Sequence, residues 1–142
     1  MLEGIIKIYT DGGARGNPGL AASAFIVISK GKVVHKESIF LGKKTNNEAE
    51  YSAVFLATKW LAINDLSRLE SVEFFLDSEL VVRQLRGEYK IKSENLKTLY
   101  VELKKLLLKI NKSISFNYVR REKNKLADKL VNLELDKIGQ LE

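Results

Sequence analysis

Three apolar segments rich in β-branched residues stand in a row before any helical pattern, and this order limits the fold more than any other feature of the chain. "GIIKIYT" comes first; "AASAFIVISK" and "KVVHKESIFLG" follow, separated by "KGK", which predicts a hairpin. From Asn46 to about Leu66 the apolar spacing becomes helical, with Ala53, Ala57, Trp60 and Leu61 on one stripe. "SVEFFLD" then reads as a fourth strand ending at Asp77, and "SELVVRQLRG" as a short helix closed by Gly87. "SENLKTLYVELKKLLLKI" is a longer helix with Ser93 as its N-cap. "SISFNYV" is a fifth strand, and a last helix runs from about Asn124 to Ile138. The expected order is β-β-β-α-β-α-α-β-α, an α/β fold with a mixed sheet covered by helices. No linker, repeat or low-complexity segment interrupts residues 1–142, so one domain is expected.

Composition narrows the chemistry. There is no cysteine and one histidine, His35, so a metal would have to be held by oxygen, which suits hard ions such as Mg²⁺ or Mn²⁺. Lys and Arg number 24 against 18 acids, and the net charge of +6 favours a polyanionic partner such as nucleic acid. No apolar run approaches the ~20 residues that cross a bilayer. The N-terminus has no basic region ahead of its apolar stretch, so the cytoplasm is the expected compartment and no membrane partner is expected.

"YTDGGARGNPG" is expected to end the first strand at an aspartate and pass into a loop richer in glycine than a turn requires. Asp11 and Asp77 would then both stand at strand carboxyl ends, where α/β sheets gather their sites. In "TNNEAEY", Glu48 and Glu50 lie about 200° apart on a helix. Glu50 shares the buried stripe with Ala53, Val54, Ala57 and Leu61, whereas Glu48 falls with Ser52 and Lys59 on the surface. In the last helix Asp128 sits at the edge of the apolar arc and Asp136 points to solvent. Carboxylates on buried stripes need compensation. Asp11, Glu50, Asp77 and Asp128 brought together would repel one another, and divalent cations would remove that penalty. Two such ions about 4 Å apart can activate water against a phosphodiester. The competing reading pairs each acid separately with one of the basic residues.

"YTDGGARGNPG", "TNNEAEY", "FLDSELVVRQL" and "VRREKNKLADKLVN", in this order and each carrying its acid, resemble the type 1 ribonuclease H family in its archaeal and bacterial short forms. The resemblance spans roughly residues 5 to 135. It implies a five-stranded mixed sheet, three antiparallel strands followed by two parallel ones. It also implies hydrolysis of the RNA strand of RNA–DNA hybrids with two Mg²⁺ or Mn²⁺ ions, leaving 5′-phosphate and 3′-hydroxyl ends. The acids carried over are Asp11, Glu50, Asp77 and Asp128, as catalytic groups and metal ligands. Gly12 and Gly13 would let the backbone approach a nucleic-acid strand, and Asn46 and Asn47 would contact sugars and 2′-hydroxyls. Asn17 and Thr45, with Lys43, match positions that hold a phosphate of the DNA strand. For Asn46, helix N-capping is a compatible second role. The expected protein is a monomer whose partner is RNA–DNA hybrid, with double-stranded RNA as a further candidate substrate.

The sequence departs from the longer bacterial form at three places. A His ten residues before the last acid is replaced by Tyr118, and Arg120 and Arg121 are candidates to neutralise phosphate charge instead. Arg121 matches the Arg of a "PRE" motif in short forms. "GEYKIKSENLK" leaves no room for a basic handle helix, so Lys90, with Lys92 and Lys97, would offer a smaller patch. Glu79 stands where Gln is common. A catalytically silent hybrid-binding module is the alternative of another class, and the retained acids argue against it. The sugar-kinase and actin superfamily needs two such domains, more than 142 residues supply.

Overall fold

The computed structural model describes residues 2–141. The elements come in the expected order: β1 (Glu3–Gly16), β2 (Gly19–Ser29), β3 (Lys32–Lys44), α1 (Asn46–Ala62), β4 (Arg68–Leu76), α2 (Glu79–Leu85), α3 (Glu94–Leu108), β5 (Ser113–Tyr118) and α4 (Lys125–Leu141). The strands form one sheet in the order β3-β2-β1-β4-β5. β1, β2 and β3 pair antiparallel, and β4 and β5 add on in parallel. Strand alternation sends Ile6 and Ile8 of β1, Phe25 and Val27 of β2, and Val72, Phe74 and Leu76 of β4 into one core with α1 and α3. Each fully buried large side chain contributes about 1.5–3 kcal/mol. On the other face Ala22 and Ala24 leave room for α4, which seats Val131 and Leu135 there.

One expectation fails informatively. β1 does not stop at Asp11 but continues to Gly16, hydrogen-bonded to β2 up to the Gly16–Gly19 pair. What stops is its other neighbour, since the parallel pairing with β4 ends at Tyr9–Phe75. β4 leaves the sheet after Leu76, and beyond that point β1 has an open edge. The polar, glycine-rich stretch is therefore a strand flanking a cleft, its main chain satisfied on one side by β2.

Boundaries shift elsewhere for local reasons. α1 ends at Ala62, short of Leu66, where Asn64 and Asp65 turn the chain and the Asp65 carboxylate accepts from Ser67 N–H at 2.9 Å. α2 is followed by Gly87 at φ +79°, the left-handed conformation expected of it, and Ser93 caps α3 through Leu96 N–H. A short 3₁₀ turn, Arg121–Lys123, precedes α4, which runs past Ile138 to Leu141.

Candidate active site

Three carboxylates meet where β1 loses its parallel neighbour. Oxygens of Asp11, Glu50 and Asp77 all lie within 4.8 Å of one another. Asp11 comes two residues after the last β1–β4 pair, and Asp77 directly follows β4. Glu50 is delivered by the first turns of α1, whose start is fixed by a capping box between Thr45 and Glu48. Gly12 fixes the distance between helix and strand. A Cβ at Gly12 would stand 2.1 Å from the Ala49 carbonyl oxygen and 2.6 Å from Glu50 N. Buried Ser23, paired with Gly12 across the hairpin, donates to the same Ala49 carbonyl at 2.6 Å.

The expected role of Gly12 therefore changes. The space beside it is taken by α1, and its N–H donates to Asp11 Oδ1 at 2.9 Å. At Gly13 the nearest atom to an added Cβ would be 3.9 Å away, so there the main chain does border open cleft.

Burial governs the electrostatics. Loss of solvent, reinforced by the Asp77 charge, raises the Asp11 pKa to about 7. Glu50 is pushed well above the ordinary range by burial, then by Asp11 and Asp77. Asp77 is raised by burial too, opposed by a hydrogen bond from Asn124 and the Arg121 charge. Asp128 lines the same cleft outside the 4.8 Å group and adds repulsion to Asp11 and Asp77. Glu50 Oε2 is buried with no hydrogen-bond partner among the described residues. A clustered, all-oxygen donor set with an orphaned buried oxygen fits a hard divalent cation. The triad could thus bind a metal.

A pH dependence follows from these shifts. Between the unperturbed Asp value of 3.8 and about 7, the folded protein holds a proton on Asp11 that the unfolded chain has released. Stability then falls as pH rises through this window. Thermal unfolding in a chelator should show a lower Tm at pH 8 than at pH 5, and a rising Tm would contradict the burial of uncompensated acids.

Asn46, Asn47 and Arg121 line this cleft with the acids. Asn46 is not the helix cap, a place that Thr45 takes; its Oδ1 accepts from Ala14 N–H at 2.8 Å and ties α1 to β1. Asn17 Oδ1 accepts from Asn46 N–H at 3.0 Å. Asn17 and Thr45 border an adjoining groove that ends against Ser93 and Asn95. Lys43 is exposed near the end of β3, and Lys90 lies outside the acid cleft, in the α2–α3 loop beside Lys92.

Other acids find separate duties. Glu48 closes the capping box rather than merely facing solvent. Asp136 pairs with Arg15 at 2.6 Å. Glu79 is held by Arg83 at 2.9 Å, which also binds Glu88 at 2.9 Å, so its charge is balanced on its own helix. His35 stacks on Trp60 with ring centroids 4.7 Å apart and contacts Glu37, away from the acids. Asn124 and Ser23, both buried, were not legible as site residues. The sequence marks Asn124 only as the approximate start of the last helix, four residues before Asp128.

The chain resembles known proteins in both sequence and fold. The family described as reverse transcriptase-like matches residues 9–134. Ribonuclease HI of Halobacterium salinarum is 35% identical over 94% of this chain and 65% of its own length. A bifunctional protein of Mycobacterium tuberculosis is 33% identical over 95% of this chain, which spans only 36% of that longer protein. LC11 ribonuclease H1, isolated from compost, superposes with a TM-score of 0.89 at 40% identity, covering 97% of this chain and 99% of its own. Its complex with an RNA/DNA hybrid gives a TM-score of 0.86 at 39% identity, with 94% and 98% coverage.

Proposed function

The chain belongs to the type 1 ribonuclease H family, and from that membership we propose that it is an endoribonuclease that hydrolyses the RNA strand of RNA–DNA hybrids, leaving 5′-phosphate and 3′-hydroxyl ends. The observation that carries this reading is the meeting of Asp11, Glu50 and Asp77 within 4.8 Å. In this reading residues 1–142 are a single ribonuclease H domain, acting as a cytoplasmic monomer. No helix among the described residues is long and apolar enough to cross a membrane.

Two Mg²⁺ or Mn²⁺ ions bound to these acids would supply an activated water and stabilise the leaving oxygen of the phosphodiester. Asp11, Glu50 and Asp77 hold the metals, and Asp128 completes the set from the α4 wall. Glu50 and Asp11, both buried, anchor the cluster; Asp128, half-buried, is more accessible to solvent and substrate than either. Arg121 offsets charge on the reacting phosphate in place of the absent His. Asn46, Asn47 and the main chain at Gly13 read the RNA strand along the cleft, where a 2′-hydroxyl distinguishes RNA from DNA. Asn17 and Thr45, with Lys43, hold the DNA strand in the adjoining groove, and Lys90 extends the basic contact beyond it. Gly12 contributes by seating Glu50 rather than by touching substrate.

A cleavage panel tests the reading. Matched hybrid, double-stranded RNA and double-stranded DNA are offered with Mg²⁺ or Mn²⁺, and the ends are analysed. RNA-strand cleavage of the hybrid with 5′-phosphate ends supports it; a hybrid left intact while DNA duplex is cut overturns it. The RNA duplex lane decides whether a second strand bearing 2′-hydroxyls is accepted.

The two glutamates of α1 give a sharper contrast. Glu50→Gln should lower the rate by roughly 10²-fold or more, since it removes a charge from the metal cluster. Glu48→Gln should stay within about threefold of wild type, because Gln also satisfies a capping box. Equal losses in kcat would refute the assignment of Glu50.

A further inference from the structure

We propose that Asn124 is a positioning residue that sets the carboxylate cluster for metal binding, an inference that rests on the metal-site reading above. The residue is 1% exposed. Its amide nitrogen donates to the Thr10 carbonyl at 2.8 Å and to Asp77 Oδ2 at 3.1 Å. Its main-chain carbonyl oxygen accepts from Asp128 N–H at 3.1 Å, the ordinary hydrogen bond that opens the first turn of α4. One residue thus joins the main chain beside Asp11, the carboxylate of Asp77 and the first turn of the helix that carries Asp128. These three segments are otherwise far apart in sequence.

The chemistry selects an amide. Two acceptors, one a carboxylate, need two N–H groups from one short side chain. A Lys or Arg there would bring a positive charge against the acids and oppose a cation. An Asp would place acceptors against acceptors. Asn supplies both donors without charge, and by occupying Asp77 Oδ2 it leaves Oδ1 to a ligand. The arrangement has a cost, because Asn124 Oδ1 is buried with no partner among the described residues. A residue serving packing alone would gain from an apolar replacement. Asn124 instead resembles the outer groups that orient metal ligands, whose loss typically costs about 10–100-fold in affinity or activity.

The test is calorimetric titration of Mn²⁺ into substrate-free protein, together with hybrid cleavage kinetics. Asn124→Ala should raise the Mn²⁺ dissociation constant about tenfold and lower kcat by a similar factor, with KM for the hybrid within about twofold. Asn124→Ser, which keeps one donor and disturbs packing less, should fall between. Leu103→Val, a core change in α3, supplies a destabilised control and should leave Mn²⁺ affinity unchanged. Wild-type Mn²⁺ affinity in folded Asn124→Ala and Asn124→Ser, with Asp77→Asn impaired, would overturn the inference alone. Asp77→Asn binding Mn²⁺ as wild type does would overturn the metal-site reading and the inference with it.

Discussion

Asp77→Asn should lower Mg²⁺-dependent cleavage of the hybrid by about 10³-fold or more, equivalent to about 4 kcal/mol of lost transition-state stabilisation. The substitution is nearly isosteric, and the new amide oxygen can still accept from Asn124 Nδ2, the partner of Asp77 at 3.1 Å. The fold should therefore survive. Without divalent cations the variant should even be more stable than wild type. Asp77 raises the pKa of both Asp11 and Glu50 by its charge, so removing it relieves repulsion inside a buried cluster. An inactive protein with an unchanged or higher Tm in chelator is a signature that misfolding cannot produce. A near-normal rate would remove Asp77 from the chemistry. A fall in Tm would show that its charge is compensated within the protein.

Gly12→Ala should be severely damaging, because it adds a methyl group where the backbone of α1 already stands. The new carbon would fall 2.1 Å from the Ala49 carbonyl oxygen and 2.2 Å from its carbon, both main-chain atoms of a helix that cannot turn aside. α1 would have to lift off β1, carrying Glu50 away from Asp11 and breaking the Ser23 hydrogen bond to Ala49. Overpacking commonly costs about 1–3 kcal/mol when side chains can adjust. Here backbone must move, so a loss of about 3 kcal/mol or more is expected, with cleavage lost as well. Gly13→Ala, one residue on, meets nothing closer than 3.9 Å and should change stability by less than about 1 kcal/mol. Urea denaturation of the two variants decides it. Similar midpoints would mean that the contact at Gly12 is not what brings helix and strand together.

These contrasts also show what the sequence could and could not reveal. Element order, sheet type and the burial of Glu50 rather than Glu48 were legible because burial imposes periods of two and 3.6 on the residues themselves. Asp77 was legible as the residue at which an apolar strand ends. The course of β1 was not. Its second half is polar and rich in glycine because it borders a cleft and lies against a helix backbone, and both leave the marks of a loop. The sequence shows the conformational freedom of Gly12, whereas its close packing depends on α1, more than thirty residues later. Asn124 was missed for a related reason. Its partners, Thr10 and Asp77, lie 114 and 47 residues away, and no local pattern records such a meeting. The charge of Glu79 is balanced by an i,i+4 arginine that the sequence did contain, within the helix expected for "SELVVRQL".

The acid cleft is proposed to perform metal-dependent cleavage of RNA paired with DNA. Its most direct measurement is the single-turnover rate on a hybrid labelled in the RNA strand, followed as Mg²⁺ is raised from a chelated start, for wild type and Asp77→Asn prepared identically. Wild type should show no cleavage in chelator and a rate that rises with Mg²⁺ to a plateau, and the variant should show no comparable rise. RNA-strand cleavage that persists in chelator, or proceeds equally in Asp77→Asn, would contradict this proposal.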